Sequence, residues 1–355
     1  MVARPYPFSL LSDDPAASTS RVCHINHCCL FTRFPAHQLG LLFFPRLVPS
    51  CSIQCPAAKP SNVSCAFSAA KFTTTCGLST VNSISRSATR GELVEDILAV
   101  QSVDGSKPGP VATVDHFLFS CAPEFLLNRL AKGARGMLGL GKSRIALPAQ
   151  LASKFGLQRK FAACLSSSEG LVLFGHEPGY DSILGAETSR SLMYTPLVTS
   201  PDGSGGSQDY SINVRSIKIN GKRLSLGQKG IGGGTPNKHN FVAPVAPFGL
   251  CFSSKEIPSS AWLGPMVPSI DLVLQSEMVR WRVHGRNAMV PVIDEVMCLG
   301  FLDGGFNSRA SIVIGGFQLE DNLLEFNLGS SMVGFSSLLT RQTSCSDYRA
   351  KMNSL

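Results

Sequence analysis

From Cys51 onward the chain is a succession of short apolar runs, each soon broken by a turn-forming cluster. Gly170–Gly175 (GLVLFG), Ser191–Leu197 (SLMYTPL) and Ser211–Asn220 (SINVRSIKIN) predict strands rich in β-branched and aromatic side chains. Ile270, Leu272 and Leu274 fall on one face of a further strand, because successive strand side chains point to opposite faces. Val279, Trp281 and Val283 share a face in the next one and send Arg280 and Arg282 to the other. Phe326 and Leu328, a Gly329-Ser330-Ser331 turn, then Val333 and Phe335 predict a hairpin. Strands repeated in this way predict a mostly-β protein of sandwich or barrel-like layers. Two helices interrupt them. One starts at Pro123, carries Leu126, Leu127 and Leu130 on its inner stripe and closes at Gly133. The other starts at Pro148, places Leu151 and Phe155 one turn apart and stops at Gly156.

Residues 1–50 follow neither period. They are rich in Pro, Ser, His and Cys and read as a poorly ordered or divergent extension. Their best apolar run, Leu39–Val48, is interrupted by Pro45 and Arg46 and is too short to cross a bilayer. An export signal needs a basic start and an apolar core, and Met1–Ser20 instead holds Pro5, Pro7, Asp13 and Asp14. No signal peptide and no membrane anchor is readable.

Composition narrows the function. The 355 residues are 44% hydrophobic and 16% charged, which suits two packed lobes and not a disordered chain. The net charge of +8 points to an acidic partner or to a merely basic surface. The cations are scattered, without a Lys/Arg run or an aromatic ladder, so no nucleic-acid partner is expected. Twelve cysteines fit an oxidising compartment better than a reducing one. Asn62-Val63-Ser64 is a glycosylation sequon, with Asn62 the candidate acceptor.

The residues offer little other chemistry. Cys23, His24, His27, Cys28 and Cys29 are of zinc-binding types, but their spacing matches no common module, and no metal is expected. Gly227–Asn240 is glycine-rich, yet Pro236 follows Thr235 and Lys238 lies outside the phosphate-loop pattern. Gly139 and Gly141 lack a third glycine, Arg144 standing in its place, so no nucleotide cofactor is expected. His116, His176 and His284 are isolated and belong to no readable Ser/His/Asp constellation.

A series of motifs in order changes the picture: Ser87–Val103, Phe117–Pro123, Gly136–Ser143, Arg144–Lys154, Lys160–Ser167, Val245–Phe252, Leu263–Leu274, Cys298–Asp303 and Ile312–Ser336. Together they resemble the plant xylanase-inhibitor / basic 7S globulin family of pepsin-like aspartic peptidase homologues. The resemblance implies a mostly-β, pepsin-like bilobal aspartic peptidase fold, with lobes at residues 51–190 and 191–355, both incomplete. In it Met137-Leu138-Gly139 and Val313-Ile314-Gly315 would be strands beside the catalytic loops. It further implies disulfides joining Cys251 to Cys298 and Cys164 to Cys345, and leaves Cys121 unpaired or mispaired. The cereal inhibitors of this family present a histidine shortly before their final cysteine. Arg341, four residues before Cys345, stands there and is the candidate partner contact. The implied partner is a microbial glycoside hydrolase such as a xylanase, or another protein ligand, met outside the cell or along the secretory pathway.

An aspartic peptidase needs two carboxylates sharing one proton, each normally in Asp-Thr-Gly or Asp-Ser-Gly. Asp104, Asp202 and Asp303 are followed directly by Gly, Asp181 by Ser182 and Ile183, and Asp115 by His116. No aspartate in the sequence forms either motif. The flap-like segment Ser85–Glu92 has Thr89, Arg90 and Gly91 where a tyrosine is usual, and Ile231–Thr235, near the second expected motif, holds no acid. The sequence therefore predicts a non-catalytic binding protein of defence or seed storage, with no catalytic residue. Two alternatives stand beside it: an aspartic-type endopeptidase assigned by family, and a non-functional degraded gene copy. Missing opening strands in the first lobe predict uncovered sheet edges that residues 1–50 do not repair.

Overall fold

A computed structural model describes residues 2–3, 40–58, 75–82, 85, 87–104, 107–130, 136–168, 170–175, 185–198, 209–224, 241–304 and 311–348. The chain forms two compact units, one of residues 5–159 and 200–208, the other of residues 1–4, 160–199 and 209–355. They part at Arg159 and Lys160, earlier than the lobe boundary expected at residue 190. The reason is pairing: Lys160–Cys164 lies antiparallel to Asn322–Asn327, and Leu171–Phe174 adds to its other edge.

The first unit is organised by one long strand, Ser87–Asp104. Lys107–Cys121 pairs along one edge of it. Gly77–Asn82 and Gly40–Leu47 share the other edge end to end. At the junction the Val48 amide donates to the Leu93 carbonyl at 3.0 Å, and the Cys76 amide to the Val48 carbonyl at 2.8 Å. Val48, Cys55, Cys76, Leu78 and Leu93 form the core there, and a disulfide joins Cys55 to Cys76. Residues 40–47 are therefore a paired strand, not part of an extension. The pairing shifts register between Leu42 and Arg46. Such a bulge accepts Pro45, whose missing N–H would break a regular ladder.

The helix predicted at Pro148 spans Leu147–Phe155 and ends on Gly156 in the left-handed conformation, φ 64°. It is fixed to its neighbour by Gln150, whose Oε1 accepts the Leu118 N–H and whose Nε2 donates to the Leu118 carbonyl, both at 2.8 Å. Leu151 is buried, while Phe155 is exposed. The helix predicted from Pro123 is only a single 3-10 turn, Glu124–Leu127. Asn82 Nδ2 donates to the Leu126 and Asn128 carbonyls at 2.6 and 3.1 Å, and Arg129 turns left-handed at φ 67°. Those carbonyls are thus engaged from outside, and the backbone leaves the helical path. Met137 makes only a single bridge and no strand.

The second unit is built on an eight-stranded sheet. Its order is Val313–Ile314, Val2–Ala3, Tyr210–Ile212, Met193–Val198, Met332–Ser337, Asn322–Asn327, Lys160–Cys164 and Leu171–Phe174. The predicted hairpin is its centre, with Leu324 opposite Phe335 and Phe326 opposite Val333. Phe161, Tyr210 and Phe326 pack together in its core, with ring centroids 4.5–6.3 Å apart. The run 211–220 is split: Tyr210–Ile212 belongs to this sheet, and Ser216–Ile219 to a four-stranded one with Lys222–Arg223, Ile270–Val273 and Arg280–Val283. A further sheet holds Phe241–Val242, Cys251–Ser253, Val296–Leu299 and Met289–Ile293. The mostly-β architecture of antiparallel sheets agrees with the fold class expected from the resemblance.

Candidate functional site

The last described stretch of the chain builds an exposed turn on rigid supports. Met332–Ser337 runs into Leu338 and Leu339, both buried, and a 3-10 turn follows at Leu339–Arg341. The Leu338 carbonyl accepts the amides of Arg341 and Thr343 at 2.8 and 3.4 Å, and the Leu339 carbonyl accepts that of Gln342 at 3.2 Å. Gln342 is left-handed at φ 55° and reverses the chain. Asp347 Oδ2 then accepts the Ser344 amide at 2.8 Å and the Thr343 hydroxyl at 3.2 Å. Buried Asp321 accepts the Cys345 amide at 2.9 Å.

Cys345 is bonded to Cys164, with Cα atoms 5.3 Å apart, so the turn is tied to the strand Lys160–Cys164. Arg341 stands at the exposed end of this construction. Among the described residues it pairs with Glu187 at 3.9 Å, the arginine side chain being 34% and the glutamate side chain 93% exposed. An ion pair that open holds little energy, and the guanidinium stays available to another carboxylate.

Beneath the sheet a buried charge pair fixes the same strands. Lys160 Nζ lies 2.9 Å from Glu325 Oε2, with both side chains buried. The Tyr194 hydroxyl donates to Glu325 Oε1 at 3.0 Å. Its ring passes over Gly334, where an added Cβ would come within 2.7 Å of it, so only glycine fits. The pair is satisfied and enclosed, which suits a structural role. Nearby, burial pushes the Glu320 carboxyl above its usual range, and the Asp321 charge adds to this.

Cys251 and Cys298 lie directly opposite each other across two strands and are bonded. Cys121 is disulfide-bonded, so a free thiol there is ruled out. The exposed Cys51 is the free cysteine among the described residues. Asn62, the Cys23–Cys29 cluster, His176 and Ile231–Thr235 lie outside the described residues. Within the flap-like segment, Ser87–Glu92 is paired with Gly77–Asn82. An added Cβ at Gly91 would press on the Cys121 carbonyl, so this position sits deep in the sheet. Among the described residues no group of His, Cys, Asp or Glu has an arrangement that could hold a metal ion. Among them no helix is long and apolar enough to cross a membrane.

Comparison with known proteins adds the context of descent. Residues 45–176 match the family described as Xylanase inhibitor N-terminal, and residues 233–337 match Xylanase inhibitor C-terminal. The chain is 45% identical over 318 residues to a protein of Nicotiana benthamiana named Probable aspartic proteinase GIP2, covering 77% of this chain and 72% of that one. It is 44% identical over 312 residues to gamma conglutin 1 of Prunus dulcis, covering 78% and 70%. The crystal structure of edgp superposes with a TM-score of 0.72 at 41% identity, covering 86% of this chain and 85% of that one.

Proposed function

The chain belongs to the plant xylanase-inhibitor family of pepsin-like proteins, and from that premise we propose that it acts by binding a protein partner and not by cutting one. The observation that carries this reading is in the sequence: no aspartate is followed by Thr-Gly or Ser-Gly. Without two such loops there is no pair of carboxylates to share a proton and activate water. The relative named as a probable aspartic proteinase favours the peptidase reading by kinship alone, and fold does not imply function.

The contact we assign is Arg341. A glycoside hydrolase works with two carboxylates flanking its scissile bond. A guanidinium on a rigid, exposed turn suits such a target, because its planar fork binds a carboxylate through two parallel hydrogen bonds. Turn rigidity matters as well, since ordering a loose loop on binding would cost affinity. The disulfides among the described residues support passage through the secretory pathway. A defence or seed-storage role fits this placement.

Titration of a microbial xylanase with the purified protein tests the reading. Inhibition is expected, and Arg341→Ala should weaken it by roughly tenfold or more, the loss of one charge-assisted hydrogen-bonded contact. Failure of the parent to inhibit excludes xylanase as the partner. Full inhibition by Arg341→Ala removes Arg341 from the contact.

A further inference from the structure

The four-stranded sheet of the second unit has two faces of opposite character. Register assigns them. Ile217, Leu272 and Trp281 are cross-strand neighbours, as are Ile219, Ile270 and Val283, so all six share one face. That face is the packed one: Leu272, Trp281 and Val283 are buried, and the Trp281 ring stacks on Phe335 with centroids 4.9 Å apart.

The other face carries an unbroken row across all four strands, Arg223, Lys218, Asp271 and Arg282. Ser216, Val273 and Arg280 form the adjacent row on the same face. Arg223, Arg280 and Arg282 are exposed. Asp271 is buried beneath Arg282, which grips it through Nε at 2.6 Å and Nη2 at 2.9 Å. Glu277 pairs with Lys218. Its carboxyl is held below the usual range first by that lysine and further by Arg223 and Arg280, so these cations converge on one region. Arg223 and Arg280 have no carboxylate within ion-pair distance among the described residues, and the surface is cationic in balance.

We propose that this face is a docking surface for a linear polyuronate, a hydrophilic chain with one carboxylate on each sugar. Charge complementarity calls for a polyanion: Arg282 is held on Asp271, and the exposed Arg223 and Arg280 are the guanidiniums left to grip carboxylates in the same forked way. A protein partner would need an apolar centre to its interface. Val273, the apolar residue in these rows, is only 2% exposed. A single-stranded nucleic acid would need aromatic rings for stacking, and Trp281 points to the opposite face. Strands lie about 4.8 Å apart, so Arg223 on one edge strand and Arg280 and Arg282 on the other present exposed guanidiniums to an extended chain laid across the sheet.

Affinity electrophoresis through polygalacturonate at low salt tests this, with fully methyl-esterified polygalacturonate as the uncharged control. The parent should be retarded by the acid form and not by the ester. The double variant Arg223→Gln/Arg280→Gln should bind about tenfold more weakly, because it removes two exposed cations from this face. The matched double variant Arg144→Gln/Arg159→Gln removes equal charge from the other unit and should bind like the parent, and thermal melts should show both variants folded. Three results overturn the proposal: an unretarded parent, equal losses in the two double variants, or tighter binding to duplex DNA than to polygalacturonate.

Discussion

Cys164 and Cys345 are separated by 181 residues in sequence and bonded in the structure, which ties the exposed turn of Arg341 to the strand Lys160–Cys164. Closing so long a loop restricts the unfolded chain strongly. Replacing both cysteines by alanine should cost about 2–5 kcal/mol of stability. Denaturant melts check this, and hydrogen exchange at Arg341–Thr343 should accelerate more than in the core. An unchanged midpoint would mean that the bond contributes nothing to this unit.

The strand Gly40–Leu47 and the residue after it are built into the first unit. The Val48 amide is bonded to Leu93, and its side chain is buried in the core beside the Cys55–Cys76 bond. Slow hydrogen exchange is expected at the amides of Val48, Cys76 and Leu93. Val48→Ala should cost about 1–3 kcal/mol by leaving a cavity. Fast exchange at Val48 would show that this segment is not part of the sheet.

Thiol labelling should separate two classes of cysteine. Cys51 is exposed and free, whereas Cys55 and Cys76 are bonded and buried. Iodoacetamide under native conditions should modify Cys51 and leave Cys55, Cys76, Cys164, Cys251, Cys298 and Cys345 untouched, as peptide mass mapping would show. Labelled Cys55 or Cys76 in oxidised protein would contradict the arrangement.

Acid should weaken the second unit in two steps. Burial lowers the His284 pKa below its ordinary 6.5, and the neighbouring Arg282 charge lowers it further. The unfolded chain therefore takes the proton first, and stability falls as pH drops from about 6.5 toward the folded value. The Arg282 hydrogen bonds hold Asp271 below its ordinary 3.8. Its contribution is complete above about 3.8 and is lost as pH falls through the lower folded value. Melting temperatures against pH should flatten below 6.5 in His284→Gln. In Asp271→Asn they should be lower at neutral pH, by the equivalent of about 1–3 kcal/mol, and should flatten below 3.8. Parallel profiles for the parent and both variants would exclude these two groups.

The sequence reveals those elements whose signal is local. Trp281 and Val283 alternate with Arg280 and Arg282, and the strand follows that alternation, with the first pair buried and the second exposed. Gly156 stops a helix because left-handed geometry costs glycine little. The elements that local pattern does not show depend on distant partners. Asn82 takes the carbonyls that a helix from Pro123 would have used. Residues 211–220 look like one strand, but the Arg215 amide donates to the Val273 carbonyl at 2.8 Å and the chain changes sheets there. Pro45 reads as a strand breaker until the bulge opposite Ser87–Asp104 accommodates it. The Arg341 turn rests on Asp321 and Cys164, whose place beside Cys345 no spacing rule gives; the cysteine pairings come from the resemblance.

The central claim is that this pepsin-like frame binds and does not cut. The most direct test incubates the purified protein with denatured haemoglobin across acidic to neutral pH, with and without pepstatin, beside a mock-purified control. No cleavage above the control is expected at any pH, because no aspartate in the sequence is followed by Thr-Gly or Ser-Gly. Pepstatin-sensitive cleavage above the control would contradict the account.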